Sequence, residues 1–325
     1  MGGFIMNIND FIYNRFGVSV DVFMEALRHS PGSVGGIAGA ISEILLKIEL
    51  EKNGYEALRI KEKPAGGNDA KAKDAKGDFF IRKQDISDNW YVLECKGLKT
   101  NSEFRGGKLS TKKSVYNFLG RLAFPESNEK IYNKGYATYL KAKAKYEKNN
   151  KDKTFPPFNW DINYPGPNSV TLSGIWQTKS ELKEWVYSQD DLLFTEESYR
   201  KQQGIIVVLE THKPNIRVSP SGIEQTAPLV ADFSILAVDL FFRTGKHEFV
   251  FMNPETISHS PSSPEHLYQN YIIDVIIPGL KDRPVIKYPW YSDIDELIKN
   301  TNPSVRQLDE SQLDNRISTD FEDFE

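Results

Sequence analysis

The residues best placed to do chemistry lie in Gly77-Asp78-Phe79-Phe80-Ile81-Arg82-Lys83 and, after the polar turn Gln84-Asp85-Ile86-Ser87-Asp88-Asn89, in Trp90-Tyr91-Val92-Leu93-Glu94-Cys95-Lys96-Gly97. Both runs are rich in aromatic and β-branched residues and read as the two strands of a hairpin. Side chains alternate along a strand, so Glu94 and Lys96 share one face while Leu93 and Cys95 point to the other. If the hairpin pairs roughly in register, Asp78 returns beside Glu94. Two carboxylates then converge next to an ammonium group. Such a pair is costly unless positive charge sits between its members, and hard divalent cations such as Mg²⁺ take oxygen ligands. Lys96 could orient or help to deprotonate a water, or neutralise charge building on a phosphate oxygen. A solvated hairpin with a cross-strand ion pair would carry the same three residues. Their place at the end of an apolar strand, directly before Gly97, favours a site.

The order Asp78, then sixteen residues on Glu94-x-Lys96, resembles the PD-(D/E)xK nuclease superfamily, and the neighbourhood is most similar to its type II restriction endonucleases. Gly77 stands where that family usually has proline. The resemblance implies a Mg²⁺-dependent endonuclease acting on double-stranded DNA, with the metal held by Asp78, Glu94 and the backbone carbonyl of Cys95. It also implies a homodimer, since two-fold symmetry matches a palindromic site. The fold it implies is α/β (α+β), a central mixed β-sheet flanked by helices. Two rivals stay open: a structure-specific or repair nuclease of the same fold, and a noncatalytic DNA-binding protein.

The elements that must position these residues can be read in order. Residues 1–34 hold short amphipathic pieces and form a helical lead-in. From Gly35 to Asn53 the spacing predicts a helix, with Ile37, Ile41, Ile44, Leu45 and Ile48 on one side and Gly36, Gly39, Leu46 and Leu50 on the other. Glu43 projects from the second stripe. The resemblance gives it a place in the metal shell; the alternative is a partly exposed glutamate paired with a lysine. Tyr55 to Lys61 reads as a strand, and 64–69 as a loop. The catalytic core thus spans about 35–124 of a nuclease domain at 35–302, closing with a helix capped by Ser110. Between Gly97 and that helix, a polar, basic, glycine-bearing loop offers Lys99, Asn101, Arg105 and Lys108 to DNA phosphates, with Lys112 and Lys113 following.

Charge is divided unevenly along the chain. Of 41 Lys and Arg and 45 Asp and Glu, residues 59–153 hold 23 bases and 12 acids. Positive charge around a metal centre would steer a polyphosphate substrate, although a lysine-rich solvated surface reads the same way. The segment 129–153 predicts a basic helix whose Tyr132, Tyr136, Tyr139 and Leu140 share a packing face. Residues 154–200 form an aromatic insertion, a candidate for sequence recognition or a surface subdomain. Further strands are expected in 204–290, at Gly204 to Leu209, Ala231 to Phe242 and Glu248 to Met252, with the hairpin turn Arg243-Thr244-Gly245-Lys246 joining the last two. Leu267 to Ile277 reads as a helix. Glu210 and His212 share one face, with a structural or DNA-contacting role preferred for them. Residues 303–325 read as a mobile acidic tail. A single cysteine excludes an intrachain disulfide framework, and the lack of a long apolar run or signal-type N-terminus leads to a cytoplasmic protein with no membrane partner.

Overall fold

A computed structural model describes residues 7–61, 76–83, 89–163, 170–212, 216–268 and 272–314. The expected loop at 64–69, Lys71 and Lys73, most of the 84–89 turn and the end of the tail lie outside the described residues. Helices α1 (Ile8–Phe16), α2 (Val20–Arg28) and α3 (Pro31–Lys52) lead into strands β1 (Tyr55–Arg59), β2 (Phe79–Lys83) and β3 (Asn89–Gly97). A helical stretch follows, α4 (Lys112–Ala123), α5 (Asn128–Asn149), α6 (Lys179–Ser188) and α7 (Glu196–Arg200). The chain then returns to strands with β4 (Val207–Glu210), the short pair β5 (Arg217–Val218) and β6 (Glu224–Gln225), and β7 (Ile235–Asp239). After α8 (Phe241–Thr244) come β8 (Phe249–Met252), β9 (His259–Ser260), β10 (Ser263–Leu267), β11 (Ile272–Ile276), α9 (Ile294–Thr301) and β12 (Arg306–Gln307).

The central sheet is mixed, in the order β1-β2-β3-β7-β8, with β12 also pairing β3. Its one parallel pair among the described residues is β3 with β7. Period-two alternation divides the two cores. Phe79, Ile81, Leu93, Cys95, Ile235 and Ala237 face α3, which meets them with Leu46 and Leu50. Phe80, Val92, Leu236 and Val238 face the other way, toward Leu209 of β4 and Ile273 of β11. The expected central sheet flanked by helices is therefore what the chain builds.

Several local readings are corrected. The expected helix Leu267–Ile277 is a strand over its described apolar run: Ile272, Ile273, Val275 and Ile276 are β-branched, and they form β11, antiparallel to β4. The tail is built in where it begins, since β12 pairs Arg306 with Trp90 and Gln307 with Asn89, and Asp314 N–H donates to Arg59 O at 2.9 Å. The cap of α4 is Thr111 in a reciprocal pairing with Ser114, whereas Ser110 Oγ donates back to the Gly107 carbonyl. Between β7 and β8 the turn is one helical turn, α8, whose Arg243 is buried rather than solvated. The aromatic insertion is no separate subdomain. Phe155 and Phe158 pack on the tyrosine stripe of α5, with Phe158 centred 5.1 Å from Tyr139, while Val170, Leu172, Trp176 and Leu182 share a core with α4, β4 and β11. Among the described residues no helix is long and apolar enough to cross a membrane.

Candidate active site

The β2–β3 ladder ends at Phe79 paired with Leu93, and Asp78 follows directly at its edge, near enough to Glu94 to act on its charge. Asp78 N–H donates to Leu93 O at 2.8 Å, and its Oδ2 in turn accepts the Cys95 N–H at 2.7 Å. One carboxylate oxygen is thus fixed by the strand that carries the second carboxylate. N–H and C=O of one strand residue point to the same side, so the Cys95 carbonyl is directed toward Asp78 as well. The Cys95 thiol lies on the opposite face, buried against α3, and burial pushes its pKa well up. Gly77 has a steric reason of its own. A Cβ there would stand 2.6 Å from the Leu93 carbonyl oxygen, so the residue before Asp78 can carry no side chain unless the backbone shifts.

Glu94 is 9 % exposed and pairs with Lys96 Nζ. Burial raises its pKa to about 7; Lys96 opposes this, while Asp78 and Asp232 add to it. Burial alone would lower the Lys96 pKa, but Glu94 and Asp78 outweigh it and the ammonium is held charged. The two residues open on a cleft of about 10 Å³ lined also by Thr211, His212, Pro228, Phe233 and Leu236, room for about one water. His212 reaches it because β4 continues alongside the end of β3: Lys99 N–H donates to Glu210 O at 2.8 Å and His212 N–H to Gly97 O at 3.1 Å. Burial, then Lys99 and Lys96, lower the His212 pKa, so its ring is neutral at pH 7. Sequence reading placed His212 beside Glu210 and missed its approach to Glu94 and Lys96. The crossing of β4 over the end of β3 is a long-range contact that no local pattern announces.

The remaining expected residues divide. Glu43 sits on the sheet side of α3 and acts electrostatically on Cys95, but its Oε2 lies 2.8 Å from Arg59 Nη2 on β1, so it is engaged in an ion pair. In the loop after β3, Lys99 is 7 % exposed, with Nζ 2.5 Å from Glu210 Oε1, which removes it from a phosphate-facing surface. Lys112 pairs with Asp191 Oδ1 at 2.8 Å, and Asn101 is half-buried. Arg105, Lys108 and Lys113 are exposed. The loop is anchored from beneath by Glu103, 1 % exposed, which pairs with Arg243 and accepts the Val208 N–H at 2.6 Å.

The donor set suits a hard cation. Asp78 and Glu94 stand beside the Cys95 backbone, and burial first, with Asp78 and Asp232 adding to it against Lys96, raises the Glu94 pKa. Among the described residues no group of three or more His, Cys, Asp or Glu side chains could hold a metal ion, and Asp78 and Glu94 are the two carboxylates that could contribute to one here. No family model, curated protein or solved structure matches this chain.

Proposed function

We propose that the protein is a Mg²⁺-dependent, site-specific endonuclease of double-stranded DNA. The observation that carries this reading is the convergence of Asp78 and Glu94 beside Lys96 at the end of the β2–β3 hairpin, with the Glu94 pKa raised to about 7. Asp78, Glu94 and the Cys95 carbonyl would hold the metal, which when bound makes water acidic and takes up charge on the phosphate oxygens. Asp78 is already aimed by the Cys95 N–H. Lys96, relieved of Glu94, presents a fixed ammonium to the phosphate under attack and stabilises the charge gained in the transition state. His212, neutral and lining the same cleft, would contact a water there. Arg105, Lys108 and Lys113 supply exposed positive charge for the DNA backbone. Cutting both strands of a symmetric sequence would take two copies, one site for each strand.

The test is incubation of the purified protein with unmethylated phage DNA and Mg²⁺, beside a metal-free control and Glu94→Ala. Fixed bands with wild type and metal alone support the reading. A smear under the same dependence replaces it with a nonspecific or structure-specific nuclease. DNA bound but uncut, with Glu94→Ala binding as wild type does, overturns it in favour of a noncatalytic binder.

A further inference from the structure

Helix α3 is apolar on two sides, and the sheet uses only one of them. Leu46 and Leu50 are buried against β1, β2 and β3. Val34, Ile37, Ile41, Ile44 and Ile48 lie on the other side and are each 45–55 % exposed. Their spacing alternates three and four residues over four turns, the period that keeps one seam facing a neighbouring helix. All five are β-branched, a choice that isolated helices disfavour. Ala38 and Ala40 flank the seam with small side chains that let another helix come close.

Other exposed apolar side chains lie in the two helices that precede the seam. Of the 22 exposed large apolar side chains among the described residues, ten lie between Ile8 and Ile48, on α1, α2 and α3. Monomers scatter such residues singly; a contiguous stripe such as the α3 seam marks an interface. The five roughly half-exposed seam residues alone present on the order of 450 Å², the size of the largest apolar patch on a typical monomer, which is often functional.

We infer that this face joins two copies of the chain, α3 packing against α3 about a two-fold axis. Two features select a second copy over a different partner. From Val34 to Ile48 the only charged residues are Glu43, turned to Arg59, and Lys47, within reach of Glu51 on the same helix at 3.4 Å. An isologous contact sets like against like at its axis, and this seam has no charge to repel its own image. A different partner recognised by complementary charge would find none here. The seam is also the same kind of residue at every position, so it is complementary to itself.

The inference goes beyond the nuclease reading and does not rest on it. It is tested on the full chain, without DNA or metal, by sedimentation equilibrium at micromolar concentration. Wild type should run at twice 37.1 kDa. Ile41→Lys/Ile44→Lys should weaken association at least about 30-fold, with circular dichroism and thermal unfolding of the isolated subunit intact because both positions are exposed. Val218→Lys, an equally exposed apolar residue away from the patch, should remain dimeric. A monomeric wild type overturns the inference, whether the patch is then covered by another part of the chain or by a different protein. So does a double variant that stays dimeric. If the double variant fails to fold, the single substitution Ile44→Ser decides in the same way.

Discussion

Two carboxylate–lysine pairs lie side by side where β3 runs out, Glu94 with Lys96 and Glu210 with Lys99. Both glutamates are almost wholly buried, at 9 % and 5 % exposure, yet their acidities move in opposite directions. Burial raises both. At Glu210 the opposing forces win: Lys99 at 2.5 Å and Lys108 at 3.7 Å hold its pKa below the usual carboxylate value. At Glu94 one lysine faces two further carboxylates, Asp78 and Asp232, and the pKa climbs to about 7. The Glu210 pair is balanced and serves the fold. The Glu94 carboxyl is held raised by burial, with Asp78 and Asp232 adding to it, and on the proposed reading a bound cation would offset that, which is what would separate a site from a brace.

The widest separation between the two pairs should appear in catalysis. Asp78→Asn, Glu94→Gln and Lys96→Ala should each lower Mg²⁺-dependent cleavage by about 10³-fold, roughly 4 kcal/mol of transition-state stabilisation. Arg59→Ala, which releases Glu43, should cost far less if Glu43 is only an ion-pair partner. Single-turnover cleavage rates for the four variants check this.

Stability should separate them in the other direction. Glu210→Gln leaves Lys99 buried without its counter-charge and should destabilise the fold by about 3 kcal/mol in denaturant titration at pH 7. Glu94→Gln should do the reverse. A neutral side chain of the same shape removes the buried charge, so at pH 8 without metal the variant should be more stable than wild type by about 1–3 kcal/mol. Equal destabilisation of both variants would erase the distinction.

Much of the Glu94 site was legible in the sequence because it is local. Aromatic and β-branched runs fix two strands, their pairing brings Asp78 to the same end of the hairpin as Glu94, and alternation puts Lys96 on the face of Glu94. The balance of charge was not legible. Lys99, next but one to Gly97, read as a phosphate contact. It is an internal partner because β4, more than a hundred residues later, brings Glu210 beside it. The same long-range contact delivers His212 to the cleft. In α3 the two apolar stripes were both visible, but periodicity carries no information on which one meets the sheet. The strand at Ile272–Ile276 was misread because a short apolar run fits a buried helix equally well, and its β-branched content was the signal that decided the matter.

The smallest effects concern the basic surface. Arg105→Ala and Lys113→Ala should each weaken DNA binding and reduce the salt dependence of the affinity by about one ion, whereas Lys99→Arg should leave that slope unchanged. Filter binding across a salt series distinguishes the exposed bases from the internal one.

The most direct test of the raised Glu94 carboxyl is the pH dependence of stability, measured by denaturant titration from pH 5 to pH 8 with and without Mg²⁺. An acid whose folded pKa stands near 7, above the ordinary 4.5, leaves the native state holding more protons than the unfolded chain between those values. Stability should therefore fall as pH rises through that window, by up to about 3 kcal/mol, and level off above it. Glu210 has the opposite sign: its contribution is present above the ordinary carboxylate pKa and is lost only as pH falls through its lowered value. The account predicts that wild type loses stability toward pH 8, that Glu94→Gln loses less, and that Mg²⁺ restores wild type while leaving Glu94→Gln unchanged. Superimposable curves for the two proteins, with Mg²⁺ acting equally on both, would contradict it.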